Sequence, residues 1–190
     1  MYFNRCFNFP SLSIDFPALP TDAQYGYYFT IWLKVEKNNY FCTEPAAAKN
    51  YYLFAYPHSL YIDSGATVMN YQSLMDNTAT TTLPGFNYYE WNHVIIYVNS
   101  IPDNELKKSI SLYTNFDIIN PAKIFKMNSQ LDLKLQGFNF CNGTCTVSGV
   151  SYTGINWGSA FYKKMRIWSI FTNLSIIRDY ETKLYLNIII

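Results

Sequence analysis

Apolar and polar side chains alternate at every second position through most of this chain. The pattern is plainest in LDLKLQGF, where Leu131, Leu133 and Leu135 point one way and Asp132, Lys134 and Gln136 the other, as in a strand with one buried face. EWNHVIIYVN repeats the period, with Val94, Ile96 and Val98 on one face and Trp91, His93, Ile95 and Tyr97 on the other. In YKKMRIWSI one face reads Tyr162, Lys164, Arg166, Trp168 and Ile170. The second faces of these two strands are aromatic rather than plainly polar. Alternation alone therefore leaves open whether they complete a core or present a surface.

Turn residues punctuate the strands at short intervals. LSIDFPALP is a short strand ended by prolines, GYYFTIWLKVEKNN a longer one ended by a polar turn, and YYLFAYPHSLYIDSG a hairpin turning at Pro57 and His58. TVMNYQSL follows, then the loop MDNTATTTLPGFN with room for one edge strand, and the charged turn IPDNELKK leads into SISLYTNF. NLSIIRDYETKL is the single helical segment, capped by Asn173 or Ser175, with Ile176, Ile177 and Tyr180 on one side. About ten or more short strands, one terminal helix and no internal repeat predict an all-β fold, a two-sheet antiparallel sandwich. No linker or low-complexity tract divides residues 1–190, which read as one domain.

Composition sharpens this picture. Tyr (18) and Phe (14) lift the aromatic share to 19%, which suits pleated, half-buried surfaces. A formal net charge of +1 with 14% charged residues gives no electrostatic reason to expect nucleic acid as a partner. MYFNRCFNFP lacks the basic and apolar regions of a secretory signal, and LYLNIII is too short to insert into a bilayer. An apolar end on three isoleucines reads as a cut inside a longer protein.

Candidate chemistry is sparse. Cys6, Cys42, Cys141 and Cys145 permit three disulfide pairings, and Cys141 and Cys145 flank a Gly-containing turn. A zinc site needs a second tight pair of ligands, which Cys6 with Cys42 or His58 with His93 does not supply. Asn142 and Asn173 each begin a glycosylation acceptor triplet. No nucleophile elbow, phosphate loop or His-Glu-x-x-His is present. Glycoside hydrolysis needs two carboxylates about 5 to 9 Å apart; the nearest pairs in sequence, Asp103 with Glu105 and Asp179 with Glu181, read as solvated surface charge.

Three segments, in order, resemble the laminin G-like branch of the concanavalin A-like lectin and glucanase superfamily. SLSIDF with YYFTIWLKV is similar to the family's opening strands. EWNHVIIYVN with SISLYTN resembles its Trp-x-His-Val strand and the hairpin after it, and GSAFYKKMRIWSIFTNLSIIRDYE resembles its closing Val-Arg-Ile strand and short helix. The resemblance implies a jelly roll of two curved sheets, a binding role rather than catalysis, and a framework role for Trp91 and His93. Lys163 and Lys164 stand where the family commonly has acidic residues, Asn115 and Phe116 where it has Asp-Gly, and nothing matches the glucanases' Glu-x-Asp-x-x-Glu. Calcium, frequent in such domains, is therefore not carried over, and no metal or cofactor is assigned.

Three functions follow as expectations. The first is a non-catalytic recognition module of a larger secreted or cell-surface protein, binding protein or glycan through Tyr97, Tyr162, Arg166 and Trp168. The second is a structural packing domain within a large assembly. The third is a glycan hydrolase. As part of a longer chain the segment is expected outside the cell or at its surface, and as a complete chain in the cytoplasm.

Overall fold

The computed structural model describes residues 12–15, 26–36, 50–55, 58–63, 69–73, 81–83, 85–99, 109–117, 123–126, 137–140, 144–147, 150–153 and 160–186. In chain order its strands are β1 (Leu12–Asp15), β2 (Gly26–Val35), β3 (Asn50–Ala55), β4 (His58–Asp63), β5 (Met69–Ser73), β6 (Thr81–Thr82) and β7 (Asn92–Asn99). They continue as β8 (Ser109–Thr114), β9 (Lys123–Lys126), β10 (Gly137–Phe140), β11 (Thr144–Val147), β12 (Val150–Thr153) and β13 (Ala160–Ser169), and the helix α1 (Leu174–Leu186) follows. Six strands form one sheet in the order β1-β10-β3-β4-β5-β6, five form a second in the order β13-β2-β7-β8-β9, and β11 and β12 make a separate ribbon. All described pairings are antiparallel. The chain passes between the two larger sheets after β1, β2, β6 and β9 and again, by way of the ribbon, between β10 and β13, giving the two-layer sandwich that the alternation predicts and the jelly-roll kind that the resemblance implies.

Strand β2 explains the architecture best. Its odd-numbered residues Tyr27, Phe29, Ile31, Leu33 and Val35 join Val94, Ile96 and Val98 of β7 and Ile110 and Leu112 of β8 in the core. The six-stranded sheet answers with Tyr51, Leu53, Leu60, Ile62, Met69 and Tyr71. The even-numbered residues of β2 face the other way, yet Tyr28, Thr30 and Trp32 are buried as well. A strand covered on both sides reads as a nearly unbroken apolar run, which is what GYYFTIWLKV is. His58, the first residue of β4 rather than part of the turn, ties the sheets together. Its ring nitrogens lie 2.9 Å from the Tyr27 hydroxyl of β2 and 2.8 Å from the Tyr71 hydroxyl of β5. A neutral imidazole offers one donor and one acceptor, so one tyrosine donates to it and the other accepts.

Several expectations meet the structure at their edges. Thr81–Thr82 is the edge strand foreseen in the threonine-rich loop, whereas the ribbon β11–β12 was not foreseen. Leu131, Leu133, Leu135, Asp103, Glu105, Cys6, Cys42, Cys141 and Asn142 lie outside the described residues. Cys145 enters β11 opposite Tyr152. Among the described residues no helix is long and apolar enough to cross a membrane.

Gly26 opens β2 with φ of +123°, and a Cβ there would run into the Val98 carbonyl oxygen and lie 2.9 Å from Ile170 Cδ1. Gly26→Ala is expected to lower the unfolding free energy by about 3 kcal/mol, from backbone strain and collision together. Urea denaturation checks this; a loss under about 0.5 kcal/mol, as for an ordinary surface change, contradicts it.

Candidate functional site

The outer face of the five-stranded sheet is where the chain departs from simple alternation. Helix α1 lies over it, and the stripe that faces the sheet is Leu174, Ile177 and Glu181. Ile177 packs with Tyr28, Ile95 and Tyr113, with Tyr97, Trp168 and Leu174 at the margin. Glu181 is fully buried. Its carboxylate accepts from Arg166 Nη1 at 2.7 Å, from Trp32 Nε1 at 3.0 Å and, weakly, from Thr30 Oγ1 at 3.5 Å, while Trp168 Nε1 donates to Thr30 Oγ1 at 3.1 Å. The reading of Glu181 as solvated charge is thus corrected: a carboxylate is tolerated out of water because charged and neutral donors surround it. Asp179 alone of that pair faces solvent, bonded to Arg178. Ile176 and Tyr180, expected on the packed side, are 59% and 46% exposed.

Beyond the helix the same face ends in an aromatic corner. His93, Trp32 and Phe116 form a triangle of rings, with His93 5.0 Å from Trp32 and 4.7 Å, stacked, from Phe116 and those two 5.4 Å apart, and Lys163 Nζ stands 3.8 Å from the centre of the Trp91 ring and 5.5 Å from that of Trp32. Partial burial, and then the charge of Lys164, hold the Lys163 ammonium below the ordinary lysine range. Asparagines fix the loops that build this corner. Asn92 Oδ1 accepts from Asn87 N–H at 2.8 Å, and its Nδ2 donates to the carbonyls of Asn87 and Glu90. Asn115 accepts from His93 N–H at 3.0 Å and donates to the Gly85 carbonyl at 2.7 Å. Among the described residues four non-glycine residues have left-handed backbones, Tyr89, Asn115, Phe116 and Lys164; Asn115 and Phe116 belong to the corner, Lys164 follows Lys163 and Tyr89 stands two residues before Trp91. Such conformations cost about 1–3 kcal/mol each and gather at sites where geometry is held for a purpose.

Lys164 also explains why face parity fails along β13. Lys163 pairs with Trp32 and Arg166 with Thr30, so Lys164 and Met165 together oppose Ile31, a bulge that shifts the alternation by one. Arg166 and Trp168 stay on the outer face. Tyr162 does not share it: it packs on the core, its hydroxyl donating to the Leu53 carbonyl at 3.0 Å, and burial pushes its phenol up. Of the four residues expected at the binding face, Tyr97, Arg166 and Trp168 therefore share a surface with α1, with Tyr97 stacked on Tyr28 at 4.4 Å. Trp32, Phe116, Lys163 and Glu181 were missed. The spacing Leu174, Ile177, Glu181 was the available signal for the last, since steps of three and four residues trace one helix face.

His93 does little chemistry where it stands. It is fully buried, neither ring nitrogen has a hydrogen-bond partner, and burial, with the Arg166 charge second, lowers its pKa to about 3. Val94, Ile96 and Val98 occupy the core behind it, the packing arrangement anticipated for this strand. Among the described residues no three His, Cys, Asp or Glu side chains converge as a metal site would require.

No protein-family model matches this chain, and no curated protein sequence matches it significantly. Among solved structures it is similar to the botulinum neurotoxin serotype D binding domain, with a TM-score of 0.50 and 14% identity over 89% of this chain. The chain spans 40% of the length of that structure. It is also similar to sheep galectin-11 in complex with glycerol (TM-score 0.38, 11% identity, 83% of this chain and 95% of that one). A native heptameric SAP-like pentraxin from Limulus polyphemus gives a TM-score of 0.41 and 12% identity over 84% of this chain and 76% of that one. At 14% identity the likeness to the first is one of fold alone.

Both histidines have a pH consequence. Burial lowers His58, like His93, from 6.5 to about 3. The unfolded chain binds a proton at each imidazole that the fold refuses, so their contribution is complete above pH 6.5 and is lost as pH falls toward 3. Unfolding free energy is expected to decline across that window with a limiting slope of about 2.7 kcal/mol per pH unit, two protons' worth. His93→Phe keeps a ring against Trp32 and Phe116 and should halve the slope in urea titrations at several pH values. An unchanged slope contradicts the neutral, buried imidazole.

Proposed function

We propose that this chain is a non-catalytic recognition module of a larger secreted or cell-surface protein, laminin G-like in kind, which binds protein or carbohydrate at the Trp91–Lys163–Phe116 corner. The observation that carries the reading is the Lys163 ammonium set 3.8 Å from the centre of the Trp91 ring, next to a Trp32, His93 and Phe116 cluster whose loop residues Asn115 and Phe116 are held in left-handed backbones. Strain is kept where the fold over-determines a geometry, and here the Lys163 ammonium stands over the half-buried Trp91 ring and near the Trp32 ring, which half-buried Phe116 meets from another side. A tryptophan face with a cation at its edge suits the apolar face of a sugar ring or an aromatic-rich protein epitope. The binding domain of the neurotoxin, similar in fold, supports a module of this class.

A structural packing role draws on a different observation, the exposure of Phe171, Ile176 and Tyr180 at the helix. It is the second reading. The two differ in which residues matter.

Screening the chain against a glycan array and against extracellular proteins tests the first. For the ligand found, Trp91→Ala is expected to weaken binding about 30-fold, roughly 2 kcal/mol, as for a buried tryptophan anchor. Lys163→Ala should weaken it less, and Tyr52→Ala, on the outer side of the other sheet, should leave it unchanged. Binding that survives Trp91→Ala and is lost with Tyr52→Ala places the site on the six-stranded sheet and contradicts the proposal.

A further inference from the structure

The turn that hands β13 to α1 reads Phe171-Thr172-Asn173-Leu174-Ser175, an acceptor triplet for N-linked glycosylation with an aromatic residue two positions ahead of the acceptor. The chain reverses here: Thr172 N–H donates to the Ser169 carbonyl at 2.9 Å, and Phe171 N–H to Ser169 Oγ at 3.2 Å. Asn173 then caps the helix, its Oδ1 accepting from the Ser175 N–H at 2.9 Å and from the Ser175 hydroxyl at 2.7 Å. Both of these bonds fall on the oxygen. The amide nitrogen, which is the atom that takes a sugar, is engaged in neither, and a glycosylated asparagine retains the oxygen that the cap requires.

The surroundings supply a second, independent observation. Asn173 is exposed, and so are Phe171 at 68% and Ile176 at 59% beside it in sequence, with Tyr180 one helical turn beyond Ile176. Tyr180, midway along α1, lies against Trp168 and Arg166, but Phe171 and Ile176 flank the acceptor at the start of the helix, where two large apolar side chains turned to water are more than a scattered one. A pyranose ring has an apolar face of C–H groups, and an aromatic ring presented on the same turn can remove that face from water.

We propose that Asn173 carries an N-linked glycan whose first sugar lies on the ring of Phe171. The bond formed joins Asn173 Nδ2 to the anomeric carbon of an N-acetylhexosamine. The bond broken is that sugar's link to a lipid diphosphate donor, which leaves as the diphosphate while the amide nitrogen gives up one proton. The glycan caps the apolar end of α1 and keeps it in solution. This rests on the secreted or cell-surface placement proposed above.

The test is expression of the full chain behind a cleavable secretion leader in a eukaryotic cell line. That fixes the compartment, so failure at this acceptor is separable from failure of the wider reading. The expected result is a mass above that of the sequence, removed by peptide N-glycosidase with an aspartate left in place of Asn173 in the mapped peptide. Ser175→Ala, which keeps the Asn173 oxygen for the cap, abolishes it. Enzymatic removal of the glycan is expected to lower Tm, and Phe171→Ala to retain occupancy while losing that difference in Tm. Secreted chain with Asn173 unmodified overturns the proposal, as does a glycan at Asn173 whose removal leaves Tm unchanged with Phe171 in place.

Discussion

A carboxylate taken out of water must be met by donors, and the burial of Glu181 is the constraint around which the second face of this sandwich is arranged. The inner face of the five-stranded sheet needs only hydrophobic packing against its partner sheet. On the outer face α1 brings one fully buried isoleucine, one partly buried leucine and one fully buried carboxylate. Arg166 reaches Glu181 from the edge strand and Trp32 from the strand beside it, so the acid fixes the helix across two strands at once. A buried ion pair adds little over a well-packed apolar contact, but removing one partner leaves the other without compensation. Its effect is to hold one register of helix on sheet.

The aromatic corner follows from the same arrangement. Trp32 is held at its indole nitrogen by Glu181, and its ring is met by the tilted His93 ring, the Phe116 ring edge to face and the Lys163 ammonium. Helix clamp and corner thus share a side chain. The asparagines beneath, Asn92 and Asn115, satisfy backbone groups in the loops and hold Tyr89, Asn115 and Phe116 in conformations their sequence would not choose. Rigid loops carrying half-exposed aromatic rings on a stable sheet are the ordinary construction of a binding site.

Much of the inner architecture was legible in the sequence. Val94, Ile96 and Val98 follow period two because a strand with one apolar face has no other way to bury it. What alternation did not carry was anything that depended on a neighbouring element. The bulge at Lys164 and Met165 reverses Tyr162 relative to Arg166, and no local composition in YKKMRIWSI marks it. Glu181 looked solvated because its donors lie some fifteen and some hundred and fifty residues away along the chain. His93 was read correctly as packing, since an imidazole among alternating apolar residues of a two-sided strand has nowhere else to go.

The most direct measurement of this account is a double-mutant cycle on Glu181 and Arg166, followed by urea denaturation at neutral pH. If the buried carboxylate clamps the helix, Glu181→Ala costs about 3 kcal/mol and the coupling with Arg166→Ala is about 2 kcal/mol. Substitutions that each fall within about 0.5 kcal/mol of the parent and add without coupling would mean that α1 rests on the sheet by apolar contact alone.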